Sequence, residues 1–220
     1  MTATPSHPIA LPATVGEGFA LLERAMGYTL GSLVLVSPAF LTAPTPCARW
    51  DLRRLLRHMD ESLRTLDEAI AAGHLDLSAG APTDSRAGNH ADIRAGNYAG
   101  THDGDPVVDP VGALRSRACR MMGAWADPRG PTAVTIGDAG LPTSILAVAG
   151  AVEVAVHGWD VAQACGADRP IPSSLAAALL GPAQLFVDDG DRPHRFGPAA
   201  VVRRTAGPDE QLLAHLGRHG

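Results

Sequence analysis

The hydrophobic period of the chain changes several times, and each change marks an element. From Val15 onward, Phe19, Leu22, Met26, Leu30 and Leu33 recur at spacings of three and four, which places them on one stripe of a helix. The stretch LVLVSPAFLTAPTPCARWD, Leu33 to Asp51, breaks that period, and its prolines stop the helix and hold an extended connection. Asp51 is placed to cap a second helix over 51–72, with Leu52, Leu55, Leu56, Met59, Leu63, Leu66 and Ile70 as its apolar side. Asp109-Pro110 opens a third helix to about Ala126, carrying Val111, Leu114, Cys119, Met122 and Trp125, with proline where its missing N–H does no harm. A fourth helix, from Pro142 or Thr143 to a natural stop at Gly166, is apolar on nearly every side and is expected at the centre of the fold. A fifth, Pro172 to about Val187, and a short last helix near Asp209 to Leu216 follow.

The remaining segments lack a sustained period. Residues 1–14 carry three prolines and read as a flexible arm ahead of a single helical domain over 15–220. Residues 73–108 read as a long loop, and 127–142 as turn-rich with one short β-like run from Thr132 to Ile136. The expected fold is therefore all-α: a four-helix bundle with an extra C-terminal helix and long loops.

Composition supports helices. Apolar residues make up 45% of the 220 and aromatics only 4%, so the core is built from Leu, Val and Ala rather than the aromatic and β-branched residues of a sandwich. The net charge is −5, without the clustered basic face that nucleic acid requires. Cys47, Cys119 and Cys165 are odd in number and far apart, which argues against a disulfide framework or a cysteine-rich zinc knuckle. No signal sequence opens the chain, and the apolar runs fall short of a membrane span. These features predict a soluble cytoplasmic protein whose partners are neither nucleic acid nor membrane; a homodimer is compatible with them.

Two polar side chains interrupt the apolar fourth helix. Glu153 and His157 are four residues apart and share one face. A buried carboxylate needs a partner, and either a hydrogen-bonded structural pair or a metal ion satisfies it. His58, inside the apolar period of the second helix, supplies a third group of metal-ligating type, although a lone histidine there also suits a core position. Two histidines and a glutamate from different helices make a three-ligand set that leaves a fourth position open, the pattern of a catalytic rather than a structural metal. Zinc is the expected divalent ion; iron, nickel and manganese accept the same donors. Asp160, three after His157, and Glu61, three after His58, can each orient a ligand histidine or serve plain structural roles. Trp50 and Trp159 read as packing residues, and Cys47, with no evident activating base, as a buried structural thiol.

The segments TPCARWDLRRLLRHMDES (Thr45–Ser62) and AVEVAVHGWDVAQACG (Ala151–Gly166) resemble the two signature segments of the DinB/YfiT-like metalloenzyme superfamily. They are most similar to those of the mycothiol-dependent maleylpyruvate isomerase N-terminal domain family. The resemblance extends over most of 15–200 and implies a DinB-like bundle with His58, Glu153 and His157 as metal ligands near one end. It also implies mycothiol, a low-molecular-weight thiol, as cofactor or co-substrate, acting on a small electrophile by transfer or isomerisation. The isomerase of that family carries an additional C-terminal domain for which this chain leaves little room, so a thiol transferase or a tailoring enzyme becomes the leading reading. A thiol-independent hydrolase or cyclase, and a non-catalytic metal- or small-molecule-binding bundle, are the alternatives. In the long loop, Arg86, His90, Arg94, Tyr98 and His102 have the chemistry to meet a substrate, and none is assigned.

Overall fold

The computed structural model describes residues 11–47, 50–75, 109–127, 129–192 and 196–218. Six α-helices dominate it, and their ends follow the capping chemistry of the sequence. Helix α1 (Val15–Leu33) starts at Thr14, whose hydroxyl accepts from the Glu17 amide at 3.2 Å while the Glu17 carboxylate accepts from the Thr14 amide. Thr14, the last residue of the expected arm, is thus the cap of α1; residues 1–10 lie outside the described residues. Helix α2 (Leu52–Ala72) is capped by Asp51, which accepts from the Arg54 amide at 2.8 Å, and ends at Gly73 in the left-handed region. Helix α3 (Pro110–Trp125) begins under Asp109, and α4 (Thr143–Ala164) stops before Gly166 at φ +70°. Helices α5 (Ser173–Phe186) and α6 (Pro208–His215) complete the set.

Helices α1 to α4 form the bundle. Helix α4 runs through its middle and corrects the expectation that no apolar run reaches a membrane span: it is long and apolar enough to cross one, but nearly every residue is buried in the core. Helix α1 lies unusually close along it. A Cβ added at Gly158 of α4 would come within 2.4 Å of Thr29 Oγ1, and one at Gly18 of α1 within 2.6 Å of the Ser144 carbonyl oxygen. The approach lets Thr29 donate its hydroxyl to the Val154 carbonyl at 2.7 Å. Leu22, Leu55, Leu56, Leu114 and Met121 fill the interior.

Both helices expected after the bundle, α5 and α6, are present; they pack on each other, and α5 packs on α4. Two expectations about the connections are corrected. The segment 127–142 is a hairpin rather than turns with one run: β2 (Ala133–Ile136) pairs antiparallel with β3 (Ala139–Pro142) around Gly137, whose φ of +58° suits a tight turn. The first residues of the expected long loop form β1 (His74–Leu75), which pairs in parallel with β2 at Thr135 and Ile136. Two- and four-residue strands are too short to show an alternating pattern, so pairing rather than periodicity creates them. Residues 76–108, with Arg86, His90, Arg94, Tyr98 and His102, lie outside the described residues.

Candidate metal centre

The two candidate ligands on α4 project from one face, and α2 crosses that face with His58. The amphipathic period of α2 buries Leu55 and Met59 and carries His58 inward with them, leaving its side chain 12% exposed. His58 Nε2 lies 2.7 Å from Glu153 Oε1, and His157 Nε2 lies 3.2 Å from the same oxygen. The imidazoles meet edge to face with ring centroids 5.1 Å apart. One ligand atom from each of the three residues lies within 4.8 Å of the others. Ser62, one turn beyond His58, directs its hydroxyl to Glu153 Oε1 at 3.4 Å, and Trp50 covers His58 at 4.6 Å between ring centroids.

The far side of His157 is equally organised. Its Nδ1 lies 2.9 Å from Oδ2 of Asp160, which is wholly buried. An ionised carboxylate only accepts, so the proton sits on Nδ1 and the Nε2 lone pair faces Glu153. Two acceptors therefore confront each other at 3.2 Å, and a cation must stand between them: a proton on Nε2 or a metal ion. The electrostatics of these residues make the same demand. Burial presses the Glu153 carboxyl upward, but the charge and hydrogen bonds of His157 and His58 outweigh it and hold the carboxyl well below its ordinary value. Burial presses His157 downward, but Glu153, then Asp160 and Cys47, raise it well above the ordinary imidazole value. A borderline-soft divalent ion matches two neutral imidazoles and one carboxylate, so the donor set fits a metal.

Of the two flanking acids, Asp160 meets a candidate ligand histidine, His157. Glu61 does not: among the described residues its side chain makes no hydrogen bond, and Ser62 reaches Glu153 from the same turn.

Two members of the site escape sequence reasoning. Cys47 Sγ lies 3.4 Å from Asp160 Oδ2 and 4.0 Å from His157 Nδ1, so the thiol read as an isolated structural residue borders the candidate centre. Arg218, three residues past the end of α6, donates to Asp160 Oδ2 at 2.9 Å and to Cys47 Sγ at 3.2 Å. The motif position of Cys47 was a usable signal. Arg218 offered none, because 58 residues separate it from Asp160.

Residues 22–162 match the mycothiol maleylpyruvate isomerase N-terminal domain family. The chain belongs to this family. The mycothiol maleylpyruvate isomerase N-terminal domain match covers all of α2, α3 and the hairpin, nearly all of α4, and α1 from Leu22 onward. It takes in His58, Glu153, His157, Asp160 and Cys47 and stops before α5, α6 and Arg218. Membership agrees with the DinB-like resemblance and with the helical bundle. No curated protein and no solved structure matches the chain.

Proposed function

We propose that this chain is a metal-dependent enzyme in which His58, Glu153 and His157 hold one divalent ion, zinc, and a mycothiol-type thiol is used to transfer to, or isomerise, a small electrophile in the cytoplasm. The observation that carries the reading is the convergence of three ligand atoms within 4.8 Å, with His157 Nδ1 already committed to Asp160. When bound, the ion supplies a positive charge that lowers the pKa of a thiol beside it and favours the nucleophilic thiolate.

The protein's own residues supply the rest. Asp160 holds His157 in the tautomer that presents Nε2, and Ser62 hydrogen-bonds Glu153. Trp50 shields the outer face of His58, and Met26, Leu30, Leu33, Met59 and Leu114 wall an apolar crevice that Glu153 and His157 border. The crevice is only water-sized, and its apolar walls limit the access of water to that side of Glu153 and His157.

Mass spectrometry of the intact protein should find one zinc per chain, and His58→Ala or Glu153→Ala should reduce it to background; unchanged metal content in either variant would sink the metal assignment. Mycothiol should then raise the melting temperature of the zinc-loaded protein where glutathione and cysteine do not. A zinc protein indifferent to every thiol would point instead to water chemistry on the same site.

A further inference from the structure

We infer that Arg218 is a positioning residue for the metal site, so the site is completed by the turn after α6, outside the segment that defines the family. The inference rests on the metal reading of His58, Glu153 and His157.

Three observations lead to it. First, Arg218 grips both oxygens of one carboxylate: Nε lies 3.4 Å from Asp160 Oδ1 and Nη2 lies 2.9 Å from Oδ2. A two-pronged grip fixes the plane of the carboxylate as well as its place, which a single hydrogen bond does not. The oxygen so fixed, Oδ2, is the one that meets His157 Nδ1 at 2.9 Å. Rotation of the Asp160 carboxylate would swing that acceptor away from the imidazole and free the His157 ring to turn.

Second, Arg218 is itself held. The amide of Gly217 donates to the Ala214 carbonyl at 3.1 Å and that of Arg218 to the Leu213 carbonyl at 2.8 Å. This paired pattern ends a helix in a left-handed residue, here Gly217 at φ +72°. Gly217 also packs where a Cβ would come within 2.7 Å of the Gly197 carbonyl oxygen. The guanidinium donates a further hydrogen bond to the Leu216 carbonyl at 2.8 Å, and the residue is 8% exposed. A long, flexible side chain is thereby made rigid before any ligand arrives.

Third, the placement has a cost that a plain surface contact would not repay. A guanidinium and a carboxylate are both withdrawn from water, and a buried ion pair is often no more stable than an apolar pair of similar volume. Its gain here is directional: the line Arg218–Asp160–His157 ends on the Nε2 that faces Glu153. Groups that orient a ligand histidine in this way typically change metal affinity by about 10- to 100-fold when removed.

The test uses the full chain with Arg218→Met, which keeps length without the fork, and Arg218→Lys, which keeps charge but offers a single point donor. Melting of the metal-free proteins establishes that each is folded. Zinc affinity is read by competition with a chromogenic chelator, and the absorption spectrum of the cobalt-loaded protein reports ligand geometry. Arg218→Met should bind zinc about 10- to 100-fold more weakly and give an altered cobalt spectrum at saturation, and Arg218→Lys should fall between it and the parent. Affinity and spectrum equal to the parent's in Arg218→Met overturn the inference; should that variant not fold, the same equality in Arg218→Lys does so. Glu153→Ala separates the two levels. If the parent binds, Glu153→Ala does not and the Arg218 variants match the parent, the metal reading stands and the inference fails; if the parent binds neither zinc nor cobalt, both fail.

Discussion

His157 has four polar groups within reach: Glu153 on one nitrogen side, Asp160 and Cys47 on the other, and Arg218 behind both. This gives the centre a pH dependence whose sign can be worked out. His157 is raised well above an ordinary value of 6.5, so in the metal-free protein its protonation stabilises the fold fully below about pH 6.5. That contribution is lost as pH rises through the raised value. Glu153 is lowered well below 4.5, so its contribution is present above about pH 4.5 and lost as pH falls through the depressed value. In the proposed site a metal ion takes the place of the His157 proton. Zinc should therefore raise the melting temperature little near pH 6 and progressively more toward pH 8, and its affinity should rise over the same interval. Melting curves with and without zinc at several pH values check this; a shift independent of pH would show that His157 is not among the ligands.

At the scale of elements, the α1–α4 contact and the exposed face of α3 make opposite predictions for the same change. Gly158→Ala places a methyl group against Thr29, whose backbone Cα would lie 3.1 Å away, so the helices must part. Overpacking costs about 1–3 kcal/mol and the gain in helix propensity offsets about 1. The net loss, up to about 2 kcal/mol, lowers the melting temperature by up to roughly 4–8 °C. Gly123→Ala on α3 meets nothing within 4 Å, so it should raise stability by roughly 0.5–1 kcal/mol. Thermal melts of the pair read both signs, and destabilisation by Gly123→Ala would show that α3 is not a free helical face. The same elements explain what the sequence reveals. Thr14, Asp51, Asp109 and Gly166 act within a few residues of themselves, so helix ends are local facts and are legible. The three candidate ligands that converge are legible too, because His58, Glu153 and His157 contradict or adorn strong apolar periods. Glu61 and Ser62 share a turn with His58 at almost equal spacing, and only the crossing of α2 over α4 decides that Ser62 reaches Glu153. Cys47 meets His157 110 residues away and Arg218 meets Asp160 58 residues away, and no period encodes either contact.

At the scale of the whole molecule, α6 is the element on which the proposed metal binding and folding meet. It has eight residues, too few to be helical alone, so its order depends on burying Leu212, Leu213 and Leu216 against α5 and its surroundings. Its far end places Arg218 on Asp160. If docking of α6 strengthens metal binding, linkage requires that metal binding strengthen docking of α6 by the same factor. Zinc should therefore slow hydrogen exchange of the α6 amides, from Leu212 to Arg218, as well as those of α2 and α4 around the ligands. Conversely Leu212→Ala, which removes a fully buried side chain at a cost of about 2–5 kcal/mol, should loosen α6 and weaken zinc binding without touching a ligand. Exchange that slows at α2 and α4 but stays unchanged at α6 would mean that the bundle holds the ion unaided. Slowing at all three would make the segment beyond the family domain part of the same cooperative unit as the metal site.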